Sequence, residues 1–97
     1  MPGYQVNIVA RAYRVIKKLP KDIQEQIKLE SKLLTTDPFT AGKKLEGALS
    51  SYWSLRFQYK GTSYRIVYTV VPAKNEVLIY YAGKRENLYK ILQRVRA

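Results

Sequence analysis

Hydrophobic and polar positions along the chain follow two different periods. Tyr4-Gln5-Val6-Asn7-Ile8 alternates apolar and polar residues at period two, which predicts a short strand. From Val9 the spacing changes. Val9, Ala12, Tyr13, Ile16 and Leu19 fall on one face of a helix, with Arg11, Arg14, Lys17 and Lys18 elsewhere on it, so a first helix is predicted to run to about Lys18. Pro20 is excluded from a helix interior but suits a first turn, and Lys21-Asp22 followed by Ile23, Ile27, Leu33 and Leu34 predicts a second helix. That helix should end before Thr35-Thr36-Asp37-Pro38, and the short connection between the two predicts an antiparallel helical hairpin.

Residues 39–51 hold two Gly, two Lys and several Ser/Thr, and are expected to form a connecting loop. Beyond them the period returns to two. Residues 52–59, 63–71 and 77–82 are rich in aromatic and β-branched residues, separated by turn sequences at Lys60-Gly61-Thr62 and Pro72-Ala73-Lys74-Asn75. They predict a three-stranded antiparallel meander that Gly83 stops. Asn87 could cap a closing helix with Leu88, Ile91, Leu92 and Val95 on its apolar face. The fold class expected is α+β: a short N-terminal strand and a helical hairpin packed on an antiparallel sheet, with a short C-terminal helix, as a single domain over residues 1–97.

Composition narrows the chemistry. The 97 residues carry 18 Lys plus Arg against 7 Asp plus Glu, a formal net charge of +11, with no His and no Cys. A chain of this length buries roughly 60 to 70% of its unfolded surface, enough for one modest core. Without Cys there are no disulfides, no thiolate chemistry and no cysteine-bound zinc; without His the usual metal ligand and the usual general base near neutral pH are gone. Any catalysis has to run on Arg, Lys, Tyr, Ser and a few carboxylates, so no metal or other cofactor is expected. The acids show no close pair suited to two-carboxylate chemistry, which argues against a glycosidase or a metal-dependent nuclease. With no apolar run of membrane-spanning length and no signal-peptide pattern at the start, the expectation is a cytoplasmic protein without a membrane partner.

The positive surplus is +4 over residues 1–51 and +7 over residues 52–97, where the acids are Glu76 and Glu86. A polyanion is the natural partner of such a surface, and its contact should lie mainly in the second half. Strand alternation makes this specific. Tyr64, Ile66, Tyr68 and Val70 form a core face of the middle strand, placing Arg65 on the opposite face with Val67 and Thr69. On the preceding strand Ser54 and Arg56 share one face, and Trp53, Leu55 and Phe57 the other. If the register sets Arg56 near Arg65, two guanidinium groups make an anion site. Arg85 follows Gly83-Lys84 at the end of the sheet, and Tyr89 stands four residues on.

Arginine suits phosphate because its planar fork donates parallel hydrogen bonds and keeps its charge at every relevant pH. A tyrosine whose pKa is lowered by neighbouring cations can deprotonate a hydroxyl. Such a set is suited to RNA transesterification, in which the 2′-OH attacks the adjacent phosphate. A lone strand arginine is most simply a surface cation, most of the nine Tyr must be packing residues, and Trp53 is most simply a sheet-face aromatic; the grouping of Arg56, Arg65 and Arg85 is what raises the functional reading. Lys43-Lys44 is a solvated pair or a contact to backbone phosphate.

Taken in order, Lys17-Lys18-Leu19-Pro20, Asp37-Pro38-Phe39, Lys44-Leu45-Glu46-Gly47, Trp53-Ser54-Leu55-Arg56, Tyr64-Arg65-Ile66-Val67-Tyr68 and Gly83-Lys84-Arg85 with Tyr89 resemble the RelE/ParE superfamily of bacterial toxins from type II toxin–antitoxin modules. The resemblance implies a helical hairpin on one face of an antiparallel sheet, a concave basic opposite face, and an acidic antitoxin that wraps the toxin. RelE-branch toxins enter the ribosomal A site and cleave mRNA, whereas ParE-branch toxins poison DNA gyrase. Carried over by position, Arg65 matches the arginine on the scissile phosphate, Arg85 the arginine that assists the leaving 5′-oxygen, and Tyr89 the tyrosine that activates the 2′-OH. Arg56 stands where RelE has a lysine of its basic strand. Ser54 stands where RelE has another, which removes one expected cation. Lys44 and Lys84 are expected to add substrate contacts beside Arg56 and Ser54. The function implied is a ribosome-dependent mRNA endonuclease; the alternatives are gyrase inhibition without chemistry and a nucleic-acid-binding module that has lost activity.

Overall fold

A computed structural model describes residues 3–84. The expected closing helix at Asn87, and with it Arg85 and Tyr89, lies outside the described residues. The period-two start forms β1 (Gln5–Ile8), and the helical stretch after it forms α1 (Ala10–Lys17) and α2 (Lys21–Ser31). The Gln24 side-chain amide donates to the carbonyls of Leu19, at 2.7 Å, and Lys17, at 3.1 Å. It thereby satisfies carbonyls that the end of α1 leaves without intrahelical partners.

The second helix is shorter than its apolar pattern suggests. The Ser31 hydroxyl donates back to the Ile27 carbonyl at 2.7 Å, a local bond that competes with the helical ladder, and the chain turns at Lys32. It continues as two single turns, α3 (Leu33–Thr36) and α4 (Pro38–Ala41), the latter opened by Pro38 at its first position. Only part of the predicted face is buried. Ala12, Ile16, Ile27 and Leu34 pack into the core, while Tyr13 and Leu33 are about half exposed.

The sheet has five strands in the order β1-β5-β4-β3-β2, from β2 (Lys43–Lys44), β3 (Trp53–Tyr59), β4 (Thr62–Val71) and β5 (Glu76–Lys84). The expected meander is its centre, but the sheet is mixed rather than wholly antiparallel. β1 pairs in parallel with β5, Gln5 opposite Glu76 and Ile8 opposite Ile79, and Asn7 Nδ2 donates to the Glu76 carboxylate at 2.8 Å. Residues 39–51 are not a plain loop either: they hold most of α4, edge strand β2 and a 3-10 turn at Gly47–Leu49. β3 and β4 are joined by a tight two-residue turn, with Lys60 at φ 51° and Gly61 at φ 78°. Two successive positive φ values give the turn whose twist matches paired strands. Gly83 does not stop the sheet; it lies within β5, opposite Arg65.

The two faces of β4 feed two cores. Tyr64, Ile66 and Tyr68 join Leu55, Phe57, Ile79 and the helix residues Ile16, Ile27 and Leu34 on the helical face. On the outer face Val67 is fully buried with Leu49, Tyr52 and Tyr81, against Leu45 and Tyr80. Segment 45–52 therefore folds over one end of the outer face, held by the hydrogen bond from Leu45 N to the Tyr52 carbonyl at 2.9 Å. The other end, toward the β3–β4 turn, is not covered by it.

Candidate functional site

At that uncovered end Arg56 of β3 and Arg65 of β4 are register partners. Directly opposed residues hold their Cβ atoms about 4.5–5.5 Å apart, and like charges placed so repel each other. Neither residue packs the helical core. Arg56 is exposed and Arg65 half-buried.

The next pair toward the turn on this face is Gln58 opposite Ser63, both exposed. Together these four line a cleft of about 460 Å³, with Phe57 and Tyr64 completing its wall. Phe57 and Tyr64 stack on the helical face, ring centres 5.5 Å apart and planes 16° from parallel, which holds the hairpin stiff beneath the cleft. Among the described residues no carboxylate lines it. An opening edged by two guanidinium groups and two neutral hydrogen-bonding side chains is matched to an anion with polar groups attached.

Gly83 flanks Arg65 on the other side. Its φ is 158°, and a β-carbon there would meet the Tyr81 hydroxyl at 3.0 Å. That hydroxyl donates to the Lys84 carbonyl at 2.5 Å, pinning the end of β5. The missing side chain at Gly83 leaves the flank of Arg65 low.

The remaining sequence-predicted positions separate. Lys84 is exposed at the end of β5, opposite Tyr64, on the same strand end as Gly83. Lys44 is exposed on edge strand β2, opposite Trp53, which stands three positions before Arg56 on β3. It does not line the cleft. Ser54 is 6% exposed between Lys43 and Val67, and its hydroxyl is buried without a hydrogen-bond partner among the described residues. Trp53 packs against the helical core and meets Phe39 edge to face at 5.5 Å, the packing expected of a sheet-face aromatic. Gln58 and Ser63 had not been singled out from the sequence, although two-residue steps from Arg56 and Arg65 reach both.

Beneath the site one buried phenol fixes the sheet to the helices. The Tyr68 hydroxyl donates to the Pro38 carbonyl at 2.6 Å, and burial pushes its pKa up to about 12; a hydrogen bond from the Gly42 backbone opposes the rise and the Asp37 carboxylate adds to it. A β-carbon at Gly42 would lie 2.5 Å from that hydroxyl and 2.8 Å from the Ser54 carbonyl, so only glycine fits. A second depression, of about 430 Å³, lies between α1, α2 and β1. Its lining includes the Glu25 carboxylate with Lys28 and Lys32, so unlike the arginine cleft it holds an acid that opposes its cations.

Residues 6–93 match the family model of the ParE-like toxin of type II bacterial toxin–antitoxin systems. The chain belongs to this family, a toxin family of the RelE/ParE superfamily. It is 29% identical over 84 residues to the mRNA interferase toxin RelE of Escherichia coli K12, covering 87% of this chain and 85% of that protein. Among solved structures it is similar to the toxin–antitoxin complex RelBE2 of Mycobacterium tuberculosis, with a TM-score of 0.73 and 29% identity over 88% of this chain and 94% of that one. It is also similar to the intact RelBE complex of E. coli, with a TM-score of 0.72 and 28% identity over 86% of this chain and 98% of the other. The α+β architecture expected from the sequence is that of these toxins.

Proposed function

We propose that this toxin is a ribosome-dependent mRNA endonuclease that cleaves by attack of a 2′-OH on the adjacent phosphate. The observation that carries this reading is the Arg56–Arg65 register pair, edging a cleft that no carboxylate lines among the described residues. In the proposed step the 2′-oxygen loses its proton and bonds to phosphorus, the bond to the 5′-oxygen breaks, and that oxygen takes up a proton. The products are a 2′,3′-cyclic phosphate and a 5′-hydroxyl. Arg65 neutralises charge growing on the phosphate oxygens, Arg56 holds the backbone, Arg85 assists the leaving oxygen and Tyr89 takes the 2′ proton. No step calls for a metal ion, in keeping with a chain that has neither His nor Cys. The mRNA interferase name of a relative aligned over most of the chain supports the same reading.

The partner proposed is an acidic antitoxin, as the RelBE complexes among the similar structures suggest. By charge it should fold across the basic outer face and compete there with RNA. The compartment proposed is the cytoplasm, where translating ribosomes are. Gyrase inhibition is retained as a second reading because the matching family model is described as ParE-like and the expected cation at position 54 is a buried serine. Primer extension on mRNA in a purified translation system decides between them. The endonuclease reading expects cuts that need ribosomes; intact mRNA together with accumulated gyrase–DNA cleavage complexes would replace it with the second.

A further inference from the structure

We propose that Gln58 and Ser63 form a nucleobase-reading subsite beside the Arg56–Arg65 phosphate site, with adenine as the preferred base. The inference rests on the proposed function only for the class of ligand, a ribonucleotide chain. Three observations lead to it.

The first is direction. A base attached to a phosphate on the arginine pair has to lie to one side of it along the strands. Toward Val67 the outer face is filled: Val67 is fully buried under Leu49, Tyr52 and Tyr81. Toward the β3–β4 turn the cleft stays open among the described residues, and the next register pair on this face is Gln58 opposite Ser63.

The second is spacing. Residues two apart on a strand stand about 6.8 Å from each other on one face, the scale on which a base stands from its own phosphate. A single cleft of about 460 Å³ joins both pairs, within the size range of small-ligand sites.

The third is chemistry. Neither the Gln58 amide nor the Ser63 hydroxyl makes a hydrogen bond among the described residues, so both are available to a ligand. A glutamine amide presents a donor and an acceptor side by side, which pair with an amino group and a ring nitrogen; adenine offers that pattern on two edges, cytosine on one and uracil on none, and the serine hydroxyl supplies one further donor or acceptor. Bases in single-stranded RNA expose those edges.

The test is equilibrium binding at low salt of fluorescent 2′-O-methyl pentanucleotides A5, C5 and U5, which cannot be cleaved because the attacking hydroxyl is blocked. The wild-type protein should prefer A5 to both others by about five-fold or more. Gln58→Ala should bring the three to within about two-fold of one another while C5 and U5 affinities hold, and Arg56→Ala should weaken all three alike. Equal binding of the three by wild type, no binding of any, or an A5 preference that survives Gln58→Ala would overturn the subsite. Cleavage is scored separately on translated mRNA: a base preference without cuts removes the endonuclease reading and leaves this one, and cuts without a base preference do the reverse.

Discussion

Arg56 and Arg65 face each other across β3 and β4, two cations at one rung of a ladder whose next rung on the same face away from the turn, Ser54 opposite Val67, is closed to solvent. Opposed like charges work against the sheet, so the hairpin is held by other terms: the Phe57–Tyr64 stack beneath it and the fully buried Ile66 and Tyr68. The pair concentrates positive charge on this face, which suits an anionic ligand.

Binding should therefore be strongly salt-dependent. With about five phosphates contacted, the slope of log K against log salt for single-stranded RNA should be near −3.5. Titrations at several salt concentrations measure it directly, and Arg56→Ala should reduce the magnitude of the slope by roughly one contact. A slope near zero would contradict an electrostatic interface.

Ser54→Ala tests whether position 54 touches RNA. The hydroxyl is buried and has no partner among the described residues, so removing it relieves an uncompensated desolvation. Denaturant unfolding should show stability unchanged or raised by up to about 1 kcal/mol, with RNA affinity unaltered. A clear fall in affinity at unchanged stability would instead make Ser54 a contact.

Tyr68 ties stability to pH at the alkaline end. Its folded-state pKa of about 12 lies above the ordinary value of about 10, so above pH 10 the unfolded chain gives up this proton while the folded chain keeps it. The contribution is complete below about pH 10 and is lost as pH rises toward 12, by on the order of 2 to 3 kcal/mol in all. Tyr68→Phe should flatten that part of the stability curve. At neutral pH it should cost about 1–2 kcal/mol, because the Pro38 carbonyl loses its donor. Urea midpoints for both proteins at about pH 8 and about pH 11 measure the difference. A variant as sensitive to alkali as wild type would show that Tyr68 is not the group responsible.

Much of this was legible in the sequence because alternation is a strict rule. A period of two put Arg65 opposite the core face of Tyr64, Ile66 and Tyr68, and the structure keeps it there. The Arg56–Arg65 pairing was left open by alternation, because a three-residue Lys60-Gly61-Thr62 turn would set Arg56 opposite Ile66; the turn holds two residues, Lys60-Gly61, and that sets Arg56 opposite Arg65. The parallel pairing of β1 with β5 was not legible: it joins segments some seventy residues apart, and nothing local marks it. The break at Ser31–Lys32 depends on one side-chain bond competing with the helical ladder, which an apolar spacing does not reveal. Residues 39–51 read as loop because their two Gly and their Ser/Thr residues signal turns; Leu45 and Leu49 among them pack with Tyr52 as a cover on the outer face. The burial of Ser54 follows from that cover, and so could not be foreseen from strand alternation alone.

The central claim, that a guanidinium of this sheet face acts on the reacting phosphate, is tested most directly by single-turnover cleavage of ribosome-bound mRNA by wild type and Arg65→Ala, with ribosome affinity measured in parallel. A group aimed at charge that develops in the transition state should cost about 10² to 10³ in rate when removed, by analogy with oxyanion donors, while affinity changes several-fold at most. A folded Arg65→Ala protein that binds the ribosome normally and cleaves at the wild-type rate would contradict the account.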